Sequence, residues 1–518
     1  STSNQIHKVI QIILRKKKER ERERTMDFYN LALFFIALVI GIFTFYAILM
    51  RINGWYYAIK FCSKKYNIPL GYMGLPYFGN TLSYFKSSIC GDPNSFLDFF
   101  ATRFGTGGMY RACIFGKPTI MVTKPDLIRK VLMDEEYLER GLPNYMKKLI
   151  GLTTSIEEDK YFRRLTAPVR SHGLLSDYFD YIDKTVRTTL EKYATTEEPI
   201  EFLHKMHRLP FEVFMRLLIG DEVNQELFDQ MFEEITAVIS GVHNLPINLP
   251  GFPYHKGLKA RKVLGGIFQK LIDERREAMK DGKSMPRANI IDMLLSNTNQ
   301  DYEANILSDK KIIEILVLFS FAGFEPVALM SVKAIFHLQK HPHFLEKAKE
   351  EQEEIVKRRA SSNAGLSFDE IRQMTFVSKV INETLRIATD QTVFLRDTST
   401  TFNINGYTIP KGWKFFAVVW NIHMNPDVYV QPKEFNPSRW DDIETKPGIF
   451  LPFSMGPKSC PGSNLAKLQI SVILHYYLLH YRVEQINPEA RCYPPENCLV
   501  KFKKLSLSSD ERLIQFQI

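Results

Sequence analysis

The chain has few cysteines, six among 518 residues, and their spacing shows none of the pairs that indicate a disulfide framework. Cys492 and Cys498 are close in sequence, but no adjacent histidine pair completes a tetrahedral zinc site. Internal repeats and long flexible linkers are also missing. At 45% hydrophobic residues the chain can bury a large core, and its length alone would allow two or three domains. We expect one large, mainly helical body over residues 66–518, because the motifs described below must converge on a single site.

The N-terminal region contains one long uncharged segment, Leu31–Met50, whose twenty almost wholly apolar residues can form a single membrane-spanning helix. The segment is too long for a typical signal-peptide core, and no small-residue cleavage pattern follows it. Basic residues just beyond it favour a cytosolic position for the rest of the chain: Arg51, Lys60, Lys64 and Lys65. The sequence predicts a single-pass anchor over residues 26–65 in the endoplasmic reticulum membrane. A buried core helix is the alternative.

The first 25 residues conflict with that orientation, because eight basic and three acidic residues give them a net charge of +5. We expect that Met26 is the true start and that residues 1–25 are a translated leader. A nucleic-acid-binding tail is the alternative for such a charge run. The alternation of Glu with Arg and the anchor that follows both argue against it, so no nucleic-acid partner is expected.

One cysteine lies on a loop, Phe453–Gly462, that is rich in proline and glycine and cannot form regular structure. The residues that follow the loop fall on one face at helical spacing: Leu465, Leu468, Val472 and Leu479. Cys460 is therefore expected at a helix N-terminus, where unpaired N–H groups favour the thiolate. A thiolate-bound haem iron favours O–O cleavage, so the position predicts an oxidation catalyst. The alternative is a buried structural cysteine.

This loop resembles the haem-ligand signature of the cytochrome P-450 family, F-x-x-G-x-R-x-C-x-G. Phe453, Gly456, Cys460 and Gly462 match, whereas Lys458 replaces an arginine that usually contacts a haem propionate. Lysine keeps the positive charge but loses the bidentate donor fork. The resemblance implies a cytochrome P-450 fold, mainly α with small β-sheets, and a haem b whose iron is bound by Cys460. Phe453, Lys458 and Gly462 would help to hold the haem.

Two upstream motifs fit the same family. Glu383 and Arg386 share a helix face, and Phe435–Trp440 matches the family's F-x-P-x-R-W segment. The resemblance implies that Glu383, Arg386 and Arg439 form a buried triad with a structural role, although an E-x-x-R pair alone is usually a surface feature.

The resemblance also implies propionate contacts from Arg396, within a segment patterned as short strands, and from Arg163. Asp159 stands where the family usually has tryptophan or histidine, four residues before that arginine. For Arg163 a solvated basic helix face is therefore the alternative.

The segment Ile312–Lys340 resembles the family's long oxygen-binding helix. Ala322 and Gly323 would leave room for dioxygen, and Glu325 is the acid of the usual acid–alcohol pair for proton delivery. These three residues are the predicted catalytic set.

The alcohols of that helix are missing, because Pro326 and Val327 replace both hydroxyl residues. Proline also predicts a kink near Ala322. In one hypothesis, water or a substrate hydroxyl organised by Glu325 restores the proton route, and the protein is a monooxygenase. In a second, the haem catalyses an isomerase, dehydratase or peroxide-dependent reaction. A third is a haem protein that binds a ligand without turnover.

Four sequence segments resemble those of plant ent-kaurenoic acid oxidases and the related triterpene oxidases: 250–261, 407–414, 423–429 and 432–440. That branch implies a bulky terpenoid, NADPH as electron source and a reductase partner. The partner would meet basic residues on the cysteine side, such as Lys458 and Lys467.

Lys458, Pro326 and Val327 depart from what a gibberellin-pathway oxidase would carry, and they favour a triterpene, for example a cucurbitane, over an ent-kaurenoic-acid-like diterpenoid. The predicted pocket consists of apolar residues that could equally be core packing: Phe324, Val327, Ala328, Val393 and Phe394.

Overall fold

Helices dominate the structure, and three small sheets lie at their edges, so the predicted fold class is confirmed. The structure is a computed structural model. It describes residues 2–62, 66–89, 93–151, 155–220, 224–281, 289–296, 308–359, 365–388, 393–441, 447–487 and 498–505.

Within those ranges the α-helices are α1 Thr2–Cys62, α2 Thr81–Ile89, α3 Pro93–Phe104, α4 Pro125–Met133, α5 Asn144–Ile150, α6 Ile156–Thr166, α7 His172–Ala194, α8 Phe202–Ile219, α9 Gln225–His243, α10 Pro253–Lys280, α11 Ile290–Ser296, α12 Asp309–Ala322, α13 Glu325–Lys340, α14 Pro342–Lys357, α15 Thr375–Ile387, α16 Trp420–His423 and α17 Ser463–His480. The strands are β1 Met109–Ile114, β2 Lys117–Val122, β3 Leu138–Arg140, β4 Ile200–Glu201, β5 Val393–Thr398, β6 Phe402–Ile404, β7 Tyr407–Ile409, β8 Lys414–Val418, β9 Tyr481–Gln485 and β10 Leu499–Lys504.

The largest sheet has the strand order β1-β2-β8-β5-β3, with β2 and β8 parallel and the other pairs antiparallel. The register of β3 against β5 makes Arg140 and Arg396 direct partners. Gly141 follows at once, and its N–H donates to the Leu395 carbonyl at 3.1 Å. A Cβ on Gly141 would lie 2.7 Å from the Arg396 backbone, so only glycine allows this close approach.

The predicted kink in the long apolar helix is confirmed as a break, because α12 ends at Ala322 and α13 begins at Glu325. Pro326 lies in the first turn of α13, a position that proline tolerates, and it has no N–H to donate to the Ala322 carbonyl. Intact helical hydrogen bonds resume at Ala328, whose N–H donates to the Phe324 carbonyl at 3.0 Å. The break therefore removes one turn of regular helix in the middle of the core.

The N-terminal helix α1 carries a candidate membrane span, Tyr29–Phe61, with a mean hydropathy of 2.7 and none of its most apolar stretch buried. The predicted span Leu31–Met50 lies inside it. The end of α1 packs on the body, since the rings of Tyr57 and Phe61 lie 6.1 Å and 5.5 Å from the Trp413 ring. A second apolar stretch, residues 309–340, is half buried and forms the core helix pair α12 and α13.

Candidate functional site

A cavity of about 490 Å³ lies between the α12–α13 break and the cysteine loop. The break contributes Ala322 and Gly323 to its lining, and the loop contributes Phe453, Cys460 and Gly462. The structure thus brings together residues that are at least 130 positions apart in the sequence.

The cysteine loop is held by its own backbone. The Cys460 N–H donates to the Phe453 carbonyl at 2.9 Å, and Gly456 adopts a positive φ of 70° that favours glycine. The sulfur is open to the cavity, three residues before Ser463 begins α17. Burial by the surrounding protein raises the pKa of the Cys460 thiol. A backbone hydrogen bond from Gly462 lowers the pKa, but by a smaller amount. A cation bound at the sulfur would favour the thiolate against this burial.

A lone sulfur is suited to a metal that brings its other ligands with it. Among the described residues no group of three His, Cys, Asp or Glu side chains could hold a bare metal ion. A porphyrin supplies four nitrogen ligands to its iron, and Cys460 would supply a thiolate ligand. The donor set of this cavity therefore fits haem iron.

Buried positive charge lies beside the loop. Arg396 is 4% exposed, and its Nε and Nη2 atoms have no hydrogen-bond partner among the described residues. Burial, followed by the neighbouring charge of Arg140, lowers the pKa of Arg396 to about 10. Lys458 is also buried, and desolvation lowers its pKa. Unpaired buried cations are unfavourable, so this wall fits the two carboxylates of a haem.

Asp159 organises the same wall from α6. Its carboxylate accepts a hydrogen bond from Arg140 Nε at 2.5 Å and lies 3.8 Å from the Lys458 ammonium. Sequence reasoning treated Asp159 as a departure from the family pattern and missed Arg140 altogether. No motif surrounds Arg140, and only the pairing of β3 with β5 places it in the cavity wall.

Arg163, predicted as a second propionate contact, does not line this cavity. Its Nη2 atom donates to Glu135 at 3.1 Å, and that ion pair directs the side chain elsewhere. Arg140 occupies the position in the wall that the prediction gave to Arg163.

The three residues of the predicted triad meet in the core. Arg386 binds Glu383 through two hydrogen bonds of 2.9 Å and 2.8 Å, and Arg439 Nε donates to the same carboxylate at 2.9 Å. Trp440 Nε1 adds a fourth donor at 3.1 Å. Glu383 is fully buried, and its charge is compensated by two guanidinium groups. The network joins α15 to the segment that leads into the cysteine loop.

His423 is a connection that the sequence reasoning did not identify. Its Nδ1–H donates to the Arg386 carbonyl at 3.3 Å, and the Leu451 N–H donates to its Nε2 atom at 2.9 Å. Burial lowers the pKa of His423 to about 3, so the ring is neutral and can accept this bond. His423 therefore links the triad directly to the start of the cysteine loop.

The residues of the helix break point in two directions. Ala322, Gly323 and Val327 line the cavity, whereas Phe324 and Ala328, predicted as pocket residues, do not. Phe324 packs instead against the Phe211 ring on α8, at 5.1 Å between centroids. The lost helical turn rotates Phe324 toward α8 and α9, and Ala328 is buried in the core beyond it.

Glu325 also faces away from the cavity and lies 3.7 Å from His243 at the end of α9. Desolvation raises the pKa of Glu325 to about 7. Burial lowers the pKa of His243, so the histidine is neutral at pH 7 and supplies no charge that would lower the carboxyl's pKa.

The packing of α8 against position 323 requires a glycine there. A Cβ at this position would lie 2.5 Å from the Phe214 ring, closer than any relaxed contact. Gly323 therefore lets α8 pack tightly against the break, and Phe214 reaches the cavity wall. On the other side, Val393 and Phe394 of β5 line the cavity, as the sequence predicted.

The expected docking role of Lys458 needs correction. Lys458 is 5% exposed and donates to the Asp134 carbonyl at 3.1 Å, so an external partner cannot reach it. Lys467 is half-buried and donates to Asn382 at 2.9 Å.

Comparisons with known proteins agree with these features. Residues 69–508 match the family model described as cytochrome P-450. The chain is 40% identical over 469 residues to beta-amyrin 11-oxidase of Glycyrrhiza uralensis, covering 88% of this chain and 94% of the relative. It is 40% identical over 483 residues to ent-kaurenoic acid oxidase 2 of Arabidopsis thaliana, covering 91% and 98%. It is 39% identical over 481 residues to 7,8-epoxymelianol synthase of Citrus sinensis, covering 91% and 97%.

Among solved structures, retinoic acid bound cyanobacterial CYP120A1 superposes with a TM-score of 0.71 at 22% identity. The match covers 85% of this chain and all of that one. At this identity the likeness concerns the fold.

Proposed function

The chain belongs to the cytochrome P-450 family, and from that premise we propose that it is a membrane-anchored monooxygenase that inserts oxygen into a bulky terpenoid. One observation carries the proposal: Cys460 and the residues of the α12–α13 break line the same large cavity. Two relatives that match about 90% of the chain are named as oxidases of β-amyrin and of ent-kaurenoic acid. Both of these compounds are polycyclic terpenoids.

Cys460 would bind the iron of haem b, and the haem supplies the oxidising centre that activates dioxygen. Arg396, Arg140 and Lys458 would hold its carboxylates through the buried charge described above. Phe453 and Gly462 would pack around the cysteine side of the ring. Glu383, Arg386 and Arg439 would have a structural role, since their network fixes the segment before the loop.

Glu325 would hold the proton that oxygen activation consumes. Its pKa of about 7 keeps the carboxyl half protonated at neutral pH, which suits a general acid. Because Glu325 faces His243 rather than the cavity, the proton must reach the reaction centre through water or a substrate hydroxyl, or by rotation of the side chain. Ala322 and Gly323 leave space on the cavity side, and the break frees the Ala322 carbonyl, which can hold such a water.

We further propose that residues 26–65 anchor the protein in the endoplasmic reticulum membrane and that residues 66–518 form the cytosolic catalytic domain. The apolar span Tyr29–Phe61 supports the anchor. NADPH would supply electrons through a reductase partner, as the family resemblance implies.

The test is reconstitution of the full chain with haem, the reductase and NADPH in membranes, followed by mass spectrometry over a terpenoid panel. We expect an oxygenated product that depends on NADPH. The Cys460→Ser variant should lose both this product and the carbon monoxide band of the thiolate-bound iron. A rearranged product that forms without NADPH would favour a haem-dependent isomerase or dehydratase, the alternative that Pro326 keeps open. A spectral shift on ligand addition with no product would favour a non-turnover binder.

A further inference from the structure

The peptide unit that leads into Cys460 is hydrogen-bonded at both ends. Its N–H, which belongs to Cys460, donates to the Phe453 carbonyl at 2.9 Å within the cysteine loop. Its C=O, which belongs to Ser459, accepts a hydrogen bond from Arg170 Nη2 at 3.2 Å. Because a peptide unit is planar, two bonds at opposite ends restrict its rotation. They therefore restrict the direction in which the Cys460 side chain leaves the backbone.

Arg170 also contacts the chain on the other side of the cysteine. It is the last residue of the short 3₁₀ helix Ala167–Arg170, 289 positions before Ser459. Asn464, in the first turn of α17, donates through Nδ2 to the Arg170 carbonyl at 3.4 Å. One residue from a distant segment is thus bonded to the chain both before and after Cys460.

The surroundings of Arg170 indicate what this contact can do. The preceding residue, Val169, is buried and lines the cavity, whereas Arg170 itself is exposed. Water competes for both partners of an exposed hydrogen bond, so the bond to Ser459 adds little to the folding stability of the chain. Its main effect is local, on the orientation of the peptide and on the electrostatic potential at the sulfur.

The charge of Arg170 acts on the sulfur as well. The pKa of the Cys460 thiol is raised chiefly by burial, and the positive charge of Arg170 is among the influences that lower it. A positive charge close to a thiolate-bound iron makes the addition of an electron more favourable. Hydrogen bonds and charges around a ligand tune the metal in this way without touching it.

We propose that Arg170 is a positioning residue for the sulfur ligand, which holds the Ser459–Cys460 peptide and raises the reduction potential of the iron bound there. The inference rests on the proposed function, because it requires Cys460 to bind haem iron. The electron concerned is the one that the reductase of that function delivers. Arg170 contacts neither the substrate nor the iron, and it acts through the backbone and through its charge.

Arg170→Met in the haem-loaded full chain removes the guanidinium and keeps a long side chain. We expect a lower reduction potential, measured by spectroelectrochemical titration. In mild urea the carbon monoxide band of the thiolate-bound iron should disappear about fivefold faster than in the parent. The thermal unfolding midpoint should stay unchanged. The control is Lys184→Met, which removes an exposed charge on α7 and should leave the potential and the rate of band loss unchanged.

The conservative variant separates positioning from support of the fold. Arg170→Lys keeps the positive charge, so it should keep most of the parent's reduction potential, whereas a potential as low as that of Arg170→Met would overturn the inference. If Arg170→Met lowers the unfolding midpoint but leaves the potential of the haem-loaded fraction unchanged, Arg170 only supports the fold and the inference fails.

The bond from Asn464 provides a further comparison. Asn464→Leu removes that bond but leaves the guanidinium on the Ser459 carbonyl, so it should lower the potential less than Arg170→Met does. An equal or larger effect of Asn464→Leu would contradict the assigned role of the Arg170 side chain.

The outcomes also separate this inference from the proposed function. A thiolate band that is present in the parent and lost in Cys460→Ser, together with parental values in Arg170→Met, would remove the role of Arg170 while the haem-thiolate function stands. A parent chain without any thiolate band would contradict the proposed function and the role of Arg170 together.

Discussion

Arg140 and Arg396 are direct cross-strand partners in the antiparallel pair β3–β5, and both line the cavity beside the cysteine loop. Like charges placed opposite each other in a sheet are destabilising unless an anion lies between or beside them. Asp159 compensates Arg140, but it does not reach Arg396 with a hydrogen bond. This part of the cavity wall thus carries excess positive charge, which the two carboxylates of a dianionic cofactor would neutralise.

Replacing Arg396 should therefore have opposite effects with and without haem. In Arg396→Gln we expect lower haem content per chain and faster haem loss, because a partner of the carboxylates is removed. The haem-free variant should be more stable than the haem-free parent by up to about 1 kcal/mol, since the like-charge pair is relieved. Haem absorbance and thermal unfolding measure the two effects. Arg129→Gln, at an exposed position, is the control and should change neither.

Glu383→Gln should disrupt the fold around the cysteine loop. The change leaves the buried Arg386 and Arg439 without a carboxylate, and breaking a buried ion pair costs about 3–5 kcal/mol. We expect little haem-loaded protein and a carbon monoxide band shifted away from the thiolate position. Glu350→Gln on the exposed face of α14 should behave like the parent. A normal band and yield in Glu383→Gln would show that the network is dispensable.

Gly323→Ala tests the contact between the helix break and α8. The added methyl group would overlap the Phe214 ring and should destabilise the protein by about 1–3 kcal/mol. Phe214→Leu in the same chain should recover part of that loss, because it removes ring atoms at the point of overlap. Chemical denaturation of the four chains of this double-mutant cycle measures the coupling. Additive effects would mean that Phe214 is not the cause.

Glu325 should make stability depend on pH. Its folded-state pKa of about 7 lies above the ordinary value of 4.5, so the folded protein binds this proton more tightly than the unfolded chain does. The contribution is fully present below pH 4.5 and is lost as the pH rises through 7. Glu325→Gln should therefore gain stability over the parent as the pH rises, by up to about 3 kcal/mol at pH 8. Unfolding free energies of both chains from pH 5 to pH 8 test this.

The same carboxyl should control turnover. If Glu325 donates protons, the product rate of the parent should fall as the pH rises above 7. The product rate of Glu325→Gln should be about a hundredfold lower than that of the parent, and it should no longer fall above pH 7. His243→Gln keeps a neutral partner and should retain most of the activity, because burial already keeps His243 uncharged. A rate in Glu325→Gln equal to that of the parent would remove Glu325 from the proton route.

Local patterns in the sequence predicted much of this molecule. The cysteine loop and the break at Pro326 follow from proline, glycine and helical periodicity, which act over a few residues, whereas the fold class followed from the family resemblance. The meeting of Glu383 with Arg439 required the family resemblance, because 56 residues separate them.

The remaining features depend on long-range packing, which short patterns do not record. Arg140 has no motif, and its position follows from strand pairing with β5. The direction of Phe324 depends on how far the chain rotates across the broken turn, and the Phe211 ring on α8 fixes that angle. The burial of Lys458 depends on Asp159 and the Asp134 carbonyl, which approach it from other elements.

The packing of the N-terminal helix against Trp413 limits how far the chain can be truncated from its N-terminus. Asn53 donates to the carbonyls of Met73 and Leu75, and the rings of Tyr57 and Phe61 contact the indole, so the last turns of α1 pack on the body. Trp413 directly precedes β8, the strand paired with the one that carries Arg396. A truncated protein that begins after Phe61 would expose the indole and destabilise this sheet. A truncated protein that begins before Asn53 should keep the sheet intact and retain its cofactor.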